Sequence, residues 1–170
     1  AVAGGTVTGG IQNSAGKTAT FTSGKIATTA LTNYGTFTMS GNANTQLNVA
    51  VTNGDGGTTN KGTFTQSGGT ITGVVTNNAN STFTINNTAA RIANNVVNKG
   101  TFNLTNGTIT GTVNNTSTFT QTTGSVAGAI TLTTISATLS MPMALARERC
   151  SIRTSRLLIC PSQERKNSLN

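Results

Sequence analysis

The triplet Gly16, Lys17 and Thr18 has the residue types that hold a nucleotide's phosphates and their metal. A phosphate loop also needs an earlier glycine at fixed spacing. Ile11 stands where it should be, and Gly10 is one place too early. With no acidic neighbour to hold magnesium, the triplet reads as a solvent-facing corner. The run Asn53, Gly54, Asp55, Gly56 and Gly57 has the makings of a calcium turn. Calcium, however, takes about six to eight oxygens, usually with several carboxylates, so one Asp in a glycine loop reads as a flexible insertion. Acceptor patterns for N-glycosylation begin at Asn80, Asn86, Asn103, Asn106, Asn114 and Asn115, as chance provides in a chain this rich in Asn and Thr.

The rest of the inventory is decided by what is missing. There is no His, and the acids are Asp55, Glu148 and Glu164. Residues 1–140 therefore cannot supply a Ser-His-Asp triad, a histidine-activated Cys, a carboxylate pair or a histidine metal site. The sequence predicts a non-enzyme with no catalytic residue, cofactor or metal.

What the chain does contain is a repeat. Phenylalanines fall at Phe21, Phe37, Phe64, Phe83, Phe102 and Phe119, in steps of 16, 27, 19, 19 and 17 residues. A period of this size signals a solenoid. Behind each Phe come two aliphatic positions four apart: Ile26 and Ala30 (with Leu31 beside it), Leu47 and Val51, Ile71 and Val75, Ile92 and Val96, Ile109 and Val113, Val126 and Ile130. The long step is ascribed to extra loop residues that include 53–57.

Each Phe is preceded by Thr, at Thr20, Thr36, Thr63, Thr82, Thr101 and Thr118, and each but Phe102 is followed by Thr. Polar–apolar–polar alternation predicts a half-buried strand with Phe inward and threonines outward. Asn33, Asn60, Asn98 and Asn115 stand four places before a Phe, and Gly35, Gly62 and Gly100 two places before. Both residue types tolerate positive φ, which predicts corners there. The expected fold is all-β: a single-stranded parallel β-helix, or β-solenoid, of about six to seven turns of roughly 16–19 residues, its rungs about 4.8 Å apart. Phe21, Phe37, Phe64, Phe83, Phe102 and Phe119 would form one interior ladder.

The expected division is a repeat domain at 1–140 and a distinct basic tail at 141–170. Low charge with few aromatics can accompany disorder, but the repeating apolar register argues for folding. Residues 1–20 look like a partial turn, Val7 and Ile11 repeating the four-residue spacing without a Phe, as in a piece of something longer. In 1–140 the positive charges are Lys17, Lys25, Lys61, Arg91 and Lys99; less Asp55, these leave +4. Scattered singly, they are no nucleic-acid footprint. The tail holds Pro142, Pro161, Cys150, Cys160, both Glu and six of the 11 Lys and Arg, but none of the 20 Gly. It reads as an amphipathic cap through Leu145, Ile152 and Ile159, as a basic ligand site, or as sequence from outside the proper reading frame. The abrupt change of composition favours the last. Cys150 and Cys160 could pair, but a solenoid otherwise free of Cys needs no disulfide.

Residues 62–73, G-T-F-T-Q-S-G-G-T-I-T-G, and 98–115, N-K-G-T-F-N-L-T-N-G-T-I-T-G-T-V-N-N, resemble the Asn/Gly/Thr-rich repeats of bacterial autotransporter passenger domains and related adhesins. The likeness covers roughly residues 5–135 and is one of repeat style. It implies a right-handed β-helix, secreted and displayed at a Gram-negative cell surface, with an outer-membrane β-barrel in the full-length protein. It implies no catalytic residue. On this reading the protein is a non-enzymatic structural or adhesive repeat protein, a virulence-type surface factor. Its partner would be a ligand on a host cell, the matrix or a neighbouring cell, with end-to-end self-association through open sheet edges. The candidate binding loops are Asn53, Gly54, Asp55, Gly56 and Gly57, and Asn86, Asn87 and Arg91. Deleting 53–57 is expected to spare the fold. The alternative is an ice-binding solenoid, whose T-x-T array would comprise Thr36, Thr38, Thr63, Thr65, Thr82, Thr84, Thr118 and Thr120. Turn lengths that vary speak against it, because an ice lattice demands regular spacing.

Overall fold

Strand-forming triplets such as T-F-T and V-T-N are too short to bury a face alone, and in the computed structural model they do so by stacking on their copies. The structure describes residues 1–27, 29–133, 138–140 and 142. Among these there is no helix. From Thr36 to Leu132 every turn contributes three strands, and every pairing between turns is parallel. First strands are Thr36–Met39, Thr63–Gln66, Thr82–Ile85, Thr101–Leu104, Thr118–Gln121 and Thr138–Ser140. Second strands are Gln46–Leu47, Thr70–Ile71, Arg91–Ile92, Thr108–Ile109 and Ser125–Val126. Third strands form a seven-stranded sheet from Ile11–Asn13 through Leu31–Asn33, Val51–Asn53, Val75–Asn77, Val96–Asn98 and Val113–Asn115 to Ile130–Leu132. Near the N-terminus one long strand, Thr18–Ile26, does the work of first and second strand together, and Val2–Val7 pairs along it. The protein is an all-β solenoid of about seven turns.

The interior is a set of columns. Phe37, Phe64, Phe83, Phe102 and Phe119 stack with ring centroids 4.9, 4.5, 5.0 and 5.4 Å apart, a spacing set by the rung distance of about 4.8 Å. A second column runs Ile26, Leu47, Ile71, Ile92, Ile109, Val126. A third runs Ile11, Leu31, Val51, Val75, Val96, Val113, Ile130. Each fully buried Phe, Ile or Val contributes roughly 1.5–3 kcal/mol.

Four details depart from the sequence reading. Phe21 pairs with Met39, and Ala19 takes the place opposite Phe37. Phe21 therefore belongs to a neighbouring inward column with Met39, Gln66, Ile85, Leu104 and Gln121. The 16-residue step becomes the 18 residues from Thr18 to Thr36, because side-chain direction alternates and the register follows the strand, not the largest residue. Leu31, not Ala30, fills the third column. The glycines before the Phe residues also act differently. Gly62 and Gly100 have ordinary negative φ, but a Cβ on Gly62 would press into the Asn53 side chain and the Asn33 carbonyl. One on Gly100 would meet the Asn78 and Ser81 carbonyls. These corners need room, not a left-handed backbone; among the described residues only Asn80 is a non-glycine with positive φ, at 60°. Residues 141 and 143–170, with the cap, Cys150 and Cys160, lie outside the described residues.

Candidate functional site

Three regions carry enough polar chemistry to matter: the corner after each third strand, the turn at 86–91 and the face of the first strands. At the corner, Asn13, Asn33, Asn53, Asn77, Asn98 and Asn115 are buried one above another. Each Nδ2 donates to the Oδ1 of the next, at 2.8, 2.8, 2.9, 2.9 and 2.7 Å. The same nitrogen also donates to the backbone carbonyl of the rung above, for example Asn53 to Thr82 at 2.9 Å and Asn77 to Thr101 at 2.9 Å. A buried amide without partners would cost about 1–3 kcal/mol, and here the ladder satisfies both ends. Asn60 is not in it; Asn53 is, although an insertion separates it from Phe64.

That placement divides the first candidate loop. Asn53 is 0% exposed and is a ladder rung, and Gly54 is buried beneath Ser81, where a Cβ would meet the Ser81 hydroxyl. Removing 53–57 would take out a rung of the fold, contrary to expectation. The insertion proper begins at Asp55, and it is tied down. The Asp55 carboxylate accepts from the Asn60 side chain at 2.7 Å and from Gly57 N–H at 2.7 Å. These bonds, Asn60 first, hold its pKa below the ordinary carboxylate range. The next turn stitches the loop from above: Asn78 donates to Gly54 O at 2.7 Å and Asn80 to Gly56 O at 3.1 Å.

In the second loop, Asn86 and Asn87 are exposed, and Asn87 Oδ1 accepts from Ala89 N–H at 2.9 Å. Arg91 is exposed on a second strand, between Thr70 and Thr108 on the neighbouring rungs. Close to this turn a groove of about 240 Å³ is lined by Thr88, Asn106, Gly107, Thr108, Thr123 and Ser125. Its walls are hydroxyls and an amide. The sequence signal for it was weak, since these residues meet only when three successive turns are stacked.

The face of the first strands carries two ranks. One runs Thr18, Thr36, Thr63, Thr82, Thr101, Thr118, Thr138, and the other Thr20, Thr38, Thr65, Thr84, Asn103, Thr120, Ser140. All eight threonines singled out in the sequence are here, and the ranks run one rung further at each end, through Thr18 and Thr20 at one and Thr138 and Ser140 at the other. Neighbours within a rank lie about 4.8 Å apart and the ranks about 6.7 Å apart. Sequence steps along the first rank range from 17 to 27 residues, but the register across the face does not vary: extra residues are taken up at corners. No side-chain hydroxyl of either rank makes a hydrogen bond among the described residues, and neither rank contains a charge. Among the described residues no group of three metal-ligating side chains exists.

No protein-family model matches this chain, and neither a curated protein nor a solved structure is similar enough to count as a match.

Proposed function

We propose that this protein is a non-enzymatic structural and adhesive solenoid of a bacterial cell surface, part of an autotransporter-like passenger held by an outer-membrane β-barrel. The repeat style supports the origin. The observation that carries the adhesive role is the first-strand face: two register-locked ranks of threonine whose hydroxyls bond to nothing among the described residues. Fixed hydroxyls with methyl groups between them, on a rigid sheet, can meet an extended surface without the ordering cost that a loop would incur. The test is binding of purified chain to host cells, matrix and neighbouring bacteria, with wild type against Thr65→Tyr plus Thr84→Tyr. Loss of adhesion in the double variant, with melting unchanged, supports the face. Unchanged adhesion moves the site to the corners, where deletion of 55–59 and Arg91→Ala separate the two loops.

A second reading, ice binding through the same ranks, is favoured by one observation. Unequal turn lengths argued against it, yet the ranks are evenly spaced because the corners absorb the excess. Thermal hysteresis measured on the whole chain decides: a freezing gap abolished by Thr65→Tyr selects ice, and no gap in wild type removes it.

A further inference from the structure

The chain contains two Asn–Gly steps, Asn53-Gly54 and Asn106-Gly107, and the fold treats them in opposite ways. Asn–Gly is the step at which a backbone nitrogen reaches the preceding side-chain carbonyl most easily, because glycine has no Cβ in the way. We propose that Asn106 is a site of spontaneous deamidation, converting in the folded protein to aspartate and isoaspartate, while Asn53 stays intact.

The geometry at Asn106 favours the step. Gly107 N–H donates to Asn106 Oδ1 at 2.9 Å, so the attacking nitrogen already lies alongside the carboxamide it would attack. A turn about Cβ–Cγ presents the carbonyl face. Near-attack placement of this kind removes much of the orientational barrier. No hydrogen bond holds the Asn106 side-chain NH₂ among the described residues, and the side chain is half-buried in the wall of the hydroxyl-lined groove, open to water. Thr108, Thr123 and Ser125 surround that opening with groups able to pass protons.

At Asn53 each of these conditions is reversed. Its Nδ2 donates to Gly62 O at 3.1 Å, Asn77 Oδ1 at 2.9 Å and Thr82 O at 2.9 Å. Its Oδ1 accepts from Asn33 at 2.8 Å, and Gly54 N–H is engaged by Asn33 O at 2.7 Å. Attack there would break the ladder.

The chemistry balances with water alone. Base removes the Gly107 N–H proton, the nitrogen bonds to Asn106 Cγ, and the side-chain nitrogen leaves as ammonia after taking a proton from water. Water then opens the cyclic imide at either carbonyl. Asn plus water becomes Asp or isoaspartate plus ammonia. The product puts a carboxylate among the hydroxyls of the groove, one rung from Arg91. The isoaspartate form also adds a methylene to the backbone beside Gly107 O, which accepts from Ser125 N–H at 2.9 Å.

The experiment is incubation of the intact folded chain in mildly alkaline buffer, with peptide mass spectrometry that resolves Asn, Asp and isoaspartate. A parallel sample is kept in urea. In urea both steps should react at comparable rates. In the folded chain Asn106 should react at least about tenfold faster than Asn53, since a single native hydrogen bond already biases by close to that factor. Asn106→Gln should remove the product from its peptide without moving the melting temperature. Equal rates at the two sites in the folded chain, protection of both against the urea sample, or product persisting in Asn106→Gln would each overturn the proposal.

Discussion

The asparagine corner and the threonine face lie only a few residues apart in every turn but the one with the insertion after Asn53, and they use small polar side chains to opposite ends. At the corner the amides point inward and exhaust their bonding on one another and on backbone carbonyls. On the face the hydroxyls point outward, and none makes a hydrogen bond among the described residues. Substitution should therefore damage stability at the first and contact at the second. Polarity alone does not mark a site; unspent bonding capacity does.

The interior sets the scale for that contrast. Phe83, wholly buried between Phe64 and Phe102, should cost about 3–5 kcal/mol when cut to alanine, read as a lower urea midpoint at unchanged slope. Next comes Asn77→Ala, which strips Asn53 of an acceptor and the Thr101 carbonyl of its side-chain donor. It should cost about 2–4 kcal/mol. If its midpoint moves no more than that of an exposed residue, the ladder is ornament and the contrast between corner and face fails.

How much of this was readable in advance follows from the physics of each feature. The Phe column from Phe37 to Phe119 was legible because period-two alternation around a large apolar residue has one inward solution. Phe21 misled because the eye follows the ring, whereas the strand Thr18–Ile26 is registered by all its pairings at once. Asn33, Asn98 and Asn115 were visible as corner residues but read as bends, not as a buried ladder, since their partners lie a whole turn away. Asn53 was hidden by its insertion. The threonine ranks were visible residue by residue, but their even spacing was not, because spacing in sequence and spacing in space part company wherever a corner stores extra chain.

The face predicts smaller effects on stability and larger ones on contact. Thr65→Val keeps the shape and the methyl and removes the hydroxyl; Thr65→Ser does the reverse. Both should change stability by less than about 0.5 kcal/mol. Adhesion, or hysteresis if the partner is ice, should separate them: loss in the serine variant alone means that ordered methyl groups make the contact, and loss in the valine variant alone means that the hydroxyls do.

The smallest expected effect sharpens the comparison most finely, since Asp55 is a polar side chain at the surface that has nonetheless spent its bonds inward. Its carboxylate accepts from Asn60 and Gly57, and its pKa is held below the ordinary range by those bonds, Asn60 first. A folded-state pKa below the unfolded value means that the contribution is present above the unfolded value, near pH 4, and is lost as pH falls through the lowered one. Acidification below about pH 4 should thus loosen the insertion, seen as faster amide exchange at Gly57 and in the stitched residues Asn78 and Asn80, with the global melt barely moved because the group is fully exposed to solvent. Asp55→Asn should show the faster exchange at every pH and no acid step. Were the acid step to persist in Asp55→Asn, the loop would be held by something other than this carboxylate, and 55–59 would return as a free surface on which a ligand could act.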